Sequence, residues 1–339
     1  MFTSEILKKF EESFRHVSGG RKGEWVHPEK GPQGQSLFTQ TYFRPADPDR
    51  LLISISGTHG PEAYIGSLIQ AEILRNLPAE NGKGPSLLFV HNLNCFGSAW
   101  CRRPNHQNID LNRNGWRGEI PVNLGFAEFI SLVSSRNWTE YAARFAIAAP
   151  KLLTQGLARI SGAIAGGQTG YPDSLFFAGR ERSFELKQLT RLFSDMKPQK
   201  LSVLEIHTGL GPKAYESLLQ EKSIAPDLSR ALIAKFQHPL VDLTQNQQFY
   251  AAQGSIAHLL EECFPTAQRL HLTQEFGTHH FVRVLGAMAI ENQAWNNGRH
   301  DDSQRMQMLQ EIFFPANEDW RQKTLAVGVR RFFDMMDLI

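Results

Sequence analysis

In the stretch LLISISGTHGPEAYIGSLIQAEILRNL, from Leu51 to Leu77, His59 and Glu62 are separated by two residues. That spacing lets an imidazole nitrogen and a carboxylate oxygen point at one spot, as the first two ligands of a zinc ion must. Taken alone, such a pair is more often a helix-start carboxylate beside a surface histidine. Two further groups lie far along the chain. His207 closes the apolar run LSVLEIH, and Glu275 closes the alternating run RLHLTQE. A histidine at a strand end is usually packed or solvent-facing, so His207 is a candidate third ligand only in company. Glu205 shares its strand face under the two-residue period and can support it from behind. Between these points, Arg102, Arg103, Asn108, Asn112 and Arg113 crowd a polar loop. Guanidinium forks bind carboxylates at two points, although a solvated basic loop explains any one of these arginines alone.

The elements that must position these groups can be read from periodicity. Leu51, Leu52, Ile53 and Ile55 form a strand; Gly57 breaks it, Pro61 suits a first helical position, and Ile65, Leu68, Ile69, Ile73 and Leu77 keep helical spacing. Residues 86–93 read as the next buried strand, so strand, helix and strand make a crossover unit. The expected fold class is α/β, with a mixed, largely parallel twisted sheet flanked by helices. Further strands are expected at 37–43, 201–207, 239–243 and 269–275, with 44–50 as a turn. Helices are expected at 3–16, 122–165, 183–196, 226–237, 256–264, 281–297, 303–313 and 318–336. His59, His207 and Glu275 then all follow strands at their carboxyl ends, the edge that forms the ligand crevice of an open parallel sheet. The stretch 115–200 shows least chemistry, and part of it is expected to roof the cleft as an insertion in a single domain spanning 1–339.

Composition excludes several function classes. Thirty-six basic and 34 acidic residues give a formal charge of +2 without long like-charge runs, so neither nucleic acid nor an anionic membrane is an expected partner. Cys95, Cys101 and Cys263 offer no disulfide framework, and no stretch reads as a signal peptide or membrane span. The expectation is a cytoplasmic protein; its oligomeric state is not legible.

Five pieces occur in one order: His59 with Glu62, RRPNHQNIDLNRN, LSVLEIH, Tyr250 ahead of Gly254-Ser255-Ile256, and TQEFGT with Glu275. Together they resemble the zinc metallocarboxypeptidase family. The wordings DLNRN, IHTGLG, GYPDSLFF and EFGT are most similar to a bacterial domain-of-unknown-function branch, related to succinylglutamate desuccinylase and aspartoacylase. The resemblance implies a carboxypeptidase-like α/β/α fold and one Zn2+ per chain, held by His59, Glu62 and His207. It makes Glu275 the general base and Arg103, rather than Arg102, the oxyanion residue. Asn112 and Arg113 would grip the terminal carboxylate of a peptide or small substrate, Tyr250 would close over it, and Asp110 would orient His59. Ile256 is expected to line a pocket for an apolar terminal side chain. The implied activity is cleavage of a C-terminal amide bond. Deacylation of an N-acyl amino acid and an inactive peptide-binding module are the alternatives.

Overall fold

The computed structural model describes residues 9, 10, 12, 13, 17, 19–78, 84–116, 118, 122–244 and 252–338. Most of the expected helix at 3–16 lies outside the described residues, as does Tyr250. Among the described residues eight strands form one sheet: β1 (Arg21–Lys30), β2 (Ser36–Arg44), β3 (Asp47–Ser56), β4 (Pro85–His91), β5 (Lys200–Gly209), β6 (Glu216–Gln220), β7 (Leu240–Asp242) and β8 (Gln268–Gly277). Their spatial order is β1-β2-β4-β3-β5-β8-β6-β7. The centre, β4-β3-β5-β8, is parallel throughout, whereas β2 joins β4 and β6 joins β8 antiparallel.

Alternation along the central strands feeds two cores. Leu51, Ile53 and Ile55 of β3 pack with Val203 of β5 and with Leu186, Leu189, Leu259 and Leu260 on one face. Leu52, Phe89, Leu204 and Ile206 pack on the other face with Ile65, Ile69, Ala287 and Phe332. Helices Phe184–Phe193 and Ile256–Cys263 therefore cover the first face. Helices Ala63–Asn76, Phe281–Asn296 and Glu318–Leu338 cover the second. Strands buried on both sides read as near-continuous apolar runs, which is why the central ones were legible.

Three readings need correction. β3 begins at Asp47, inside the expected turn, because a register shift between Asp47 and Leu51 carries pairing through the polar start of the strand. β1 and β6 were not expected. Apart from His27, and Trp25 at intermediate exposure, β1 is an exposed edge strand carrying Pro28, so it lacks an alternating apolar face. β6 is five residues long and hides a charge, with Glu216 buried against Arg331, whose Nε donates to Oε1 at 3.1 Å. The expected continuous helix at 122–165 is broken into a 3-10 turn Leu124–Phe129, a short helix Ile130–Val133, and helices Trp138–Gln155 and Leu157–Ala165. Gly156, at φ +81°, separates the last two.

Candidate metal centre and active site

The turn that carries His59 is set by two glycines. Gly57 has φ +70°, and a Cβ there would lie 2.9 Å from both Ala63 Cβ and Asn92 Cα. Gly60 admits the neighbouring loop so closely that a Cβ would lie 2.0 Å from the Gly97 carbonyl carbon and 2.4 Å from Arg102 O. Between them His59 is extended, and Pro61 opens the short 3-10 turn Gly60–Glu62 that leads into the helix Ala63–Asn76. His59 and Glu62 therefore face one point from the carboxyl end of β3. β5 brings the third group, and its register aligns His207 directly with Glu275 of β8.

The arrangement is a chain of buried carboxylates and imidazoles. Glu62 Oε1 lies 3.1 Å from His59 Nδ1, and Glu62 Oε2 lies 3.0 Å from His207 Nδ1 and accepts the Thr208 N–H at 3.0 Å. The two rings are 5.0 Å apart, centroid to centroid. Each ring turns its other nitrogen to a different carboxylate. His59 Nε2 is 3.1 Å from Asp110 Oδ1, and His207 Nε2 is 2.9 Å from Glu205 Oε1. The latter is a charge contact without hydrogen-bond alignment. His271 and Thr58 complete Glu205, at 3.0 and 2.6 Å. Arg103 Nε donates to Asp110 Oδ2 at 3.0 Å and its Nη1 stands 3.5 Å from Glu62 Oε1.

These residues fit a divalent cation. His59, Glu62 and His207 each bring a ligand atom within 4.8 Å of the others, both imidazoles present Nδ1 to the shared carboxylate, and Asp110 braces His59 through Nε2 while Glu205 stands at the His207 Nε2 as a charge partner. Bracing of this kind fixes the ring and raises its basicity as a ligand. Burial pushes each carboxyl up, but the surrounding charges outweigh it. His59 and His207 hold Glu62 below the usual carboxylate range, Arg103 and His59 do so for Asp110, and His207 and His271 for Glu205. His207 would be pushed down by burial, yet Glu205 and Glu62 hold it well above its ordinary value. A metal supplies the positive charge that this proton otherwise brings.

Glu275 is different. Burial, and then the charge of Glu62, push its carboxyl up to about 7, with Leu210 N–H donating to Oε1 at 2.8 Å. It shares with His59, Glu62 and His207 a cavity of about 260 Å³. Arg103, Asn112 and Arg113 line the same cavity, and Phe129, Phe145, Ile160, Ile164 and Phe176 from the middle of the chain form part of its wall. Arg113 is buried, its Nε on Ala165 O at 2.7 Å and its Nη1 on Asn112 O at 2.6 Å. Asn112 Oδ1 accepts the Ile256 N–H at 3.1 Å. Arg102 points elsewhere, onto Glu291 at 3.1 Å and over the Trp295 ring at 4.1 Å.

The reading of Ile256 also needs correction. It is fully buried in the core with Leu51 and Leu186 and is not part of the cavity wall. Glu221, which follows β6, lines the cavity and escaped the sequence reading because the short strand before it did. His27, His106 and Glu185 also lie together, but the chemistry of the donors does not fit a metal. His27 Nδ1 accepts the Glu29 N–H at 3.0 Å, so the ring proton sits on Nε2 and is given to Glu185 Oε1 at 3.2 Å. No lone pair of His27 is left for an ion.

A parallel-centred sheet between two helical layers, with a two-histidine, one-carboxylate cluster at its carboxyl edge, defines the zinc carboxypeptidase type of α/β/α fold. Within it, the chain belongs to the family described as Protein of unknown function (DUF2817), which matches residues 5–327. Among solved structures, a metallo-carboxypeptidase from Pseudomonas aeruginosa in complex with (2-guanidinoethylmercapto)succinic acid is similar at 13% identity and TM-score 0.51, over 99% of this chain and 68% of that one. The murein-tripeptide amidase MpaA from Escherichia coli O157 matches at 17% identity and TM-score 0.41, over 87% and 94%. A succinylglutamate desuccinylase from Silicibacter sp. TM1040 matches at 14% and 0.42, over 84% and 68%. At such identities the likeness is one of fold. No curated protein matches the chain. Among the described residues no helix is long and apolar enough to cross a membrane.

Proposed function

We propose that the chain is a zinc-dependent hydrolase that cleaves the C-terminal amide bond of a peptide or peptide-like substrate. The observation that carries this reading is the placing of Glu275, a carboxyl raised to about 7, in one cavity with two imidazoles that share the Glu62 carboxylate through Nδ1. One zinc per chain, held by His59, Glu62 and His207, would polarise the scissile carbonyl and acidify a water. Glu275 takes the water proton as oxygen adds to the carbonyl carbon, and gives it to the nitrogen as the C–N bond breaks. Leu210 N–H occupies Oε1, so the proton is carried on Oε2. Arg103, fixed by Asp110, offers positive charge to the oxygen that becomes negative. Asn112 and Arg113 hold the carboxylate of the departing residue, and Asp110 keeps His59 in its ligand orientation.

The size of the cavity favours a second reading with the same groups, release of an acyl chain from an N-acyl amino acid. The free cysteines Cys95, Cys101 and Cys263 suit a reducing, cytoplasmic compartment. The test is to load the purified protein with zinc, measure metal by mass spectrometry, and incubate it with dipeptides, longer peptides and N-acyl amino acids. About one zinc per chain and release of C-terminal residues are expected. Cleavage confined to N-acyl amino acids would select the second reading, and a chain that neither retains zinc nor cleaves anything would be a binding module.

A further inference from the structure

Glu221 has no part in the chemistry above, yet its side chain stands in the cavity wall among Leu219, Leu243, Ala252 and Ile160. It is 7% exposed. An ionised carboxylate in such surroundings is costly unless a partner meets it. Among the described residues its hydrogen bond is with Ser255, whose hydroxyl donates to Oε2. His271 and Arg113 draw the Glu221 carboxyl down from a distance, while their hydrogen bonds go to Glu205, and to Ala165 O and Asn112 O. Burial nevertheless pushes the Glu221 carboxyl above the usual range.

Its position is tied to the substrate-gripping end of the site. Ser255 and Ile256 are consecutive; the first donates to Glu221 and the second, through its backbone N–H, to Asn112 Oδ1 at 3.1 Å. The carboxylate grip and Glu221 are thus fastened to one dipeptide at the start of the helix Ile256–Cys263. Asn112, Arg113 and Glu221 line one cavity, so a residue whose carboxylate meets the first two has its side chain in the same space as the third.

We propose that Glu221 selects substrates whose departing residue carries a cationic side chain, its carboxylate receiving an ammonium or guanidinium group in the cavity. This rests on the hydrolase reading and names the substrate class of the same site. It also replaces the expected apolar preference, which was founded on Ile256.

The experiment compares two acylated dipeptides that differ by one ammonium group, ending in lysine and in norleucine, on the zinc-loaded protein. A hydrogen bond to a charged group predicts a lysine-to-norleucine ratio of kcat/KM of about tenfold to a hundredfold. In Glu221→Gln that ratio is expected to collapse towards one. A merely structural role, holding Ser255 at the helix start, would lower both substrates together and leave the ratio standing, which would overturn the proposal. So would a ratio near one in the unaltered protein, a result that needs no variant. If neither compound is cleaved, the hydrolase reading fails separately. Calorimetric binding of the same pair then decides Glu221, with equal affinities overturning its role.

Discussion

Glu275 carries two opposing demands, and one substitution separates them. As a base it must lose a proton; as a buried carboxyl beside Glu62 it resists doing so, with its value raised to about 7. A carboxyl whose folded value lies above its unfolded one stabilises the fold fully below the unfolded value, near 4.5, and loses that contribution as pH rises through about 7. In metal-free protein, Glu275→Gln is therefore expected to gain on the order of 2 kcal/mol at pH 8 and almost nothing at pH 4.5, read from urea unfolding. The same variant should keep zinc while turnover falls by about a hundredfold or more. Unchanged turnover would remove the base role, and an equal gain at both pH values would remove the electrostatic account. His207→Ala is the complement. It deletes a ligand and leaves Glu205 and Glu62 without their shared partner. Zinc content measured after dialysis should drop well below one per chain, and full occupancy would take His207 out of the ligand set.

At the scale of the element, the loop after β4 gives adjacent arginines opposite duties. Arg102 is fully buried, tied to Glu291, Asn108 and Asn292 and laid on Trp295. Arg103 reaches the cavity through Asp110. Arg102→Ala should cost about 2–4 kcal/mol of stability, because it empties a buried site and leaves Asn108 Oδ1 and Asn292 Oδ1 without their donor, while Arg305 Nη1 still meets Glu291 Oε1 at 2.7 Å. Arg103→Gln should lower kcat by about a hundredfold or more, with a smaller loss of stability than Arg102→Ala because His59 and the Asn112 N–H still meet the buried Asp110 carboxylate. Exchanged outcomes would exchange the assignments. The Gly60 turn is the other element to test. An alanine Cβ would meet backbone at Gly97 and Arg102, which cannot rotate away. Gly60→Ala should cost about 1–3 kcal/mol and weaken metal retention by moving His59.

The whole molecule shows what a linear reading can and cannot reach. The four central strands were legible because their carboxyl halves are buried on both faces, and His59, His207 and Glu275 because each closes such a strand. Glu221 was not, since β6 before it is short and its buried charge, Glu216, is met by Arg331 more than a hundred residues away. The same kind of long-range tie joins sheet and helical layer at His91. This β4 residue donates through Nδ1 to Gln70 Oε1 at 3.1 Å, and Gln70 Nε2 in turn reaches Ser54 O at 3.1 Å. Phe10 stacks on the imidazole with centroids 3.4 Å apart. Burial holds His91 down to about 3, far below its ordinary 6.5, so it stays neutral in the fold while the unfolded chain binds a proton below 6.5. Unfolding then takes up protons, and stability falls with decreasing pH from about 6.5 towards 3, at up to about 1.4 kcal/mol per pH unit. Glu275 runs the other way between 7 and 4.5, so the wild-type curve alone does not isolate His91. The difference between wild type and His91→Gln does. Taken from pH 7.5 to pH 5 in urea unfolding of the metal-free protein, the variant should lose less stability than the wild type by on the order of 2 kcal/mol. Parallel curves would mean that the imidazole is protonated in the fold, and that Gln70 and Phe10 hold a charged ring.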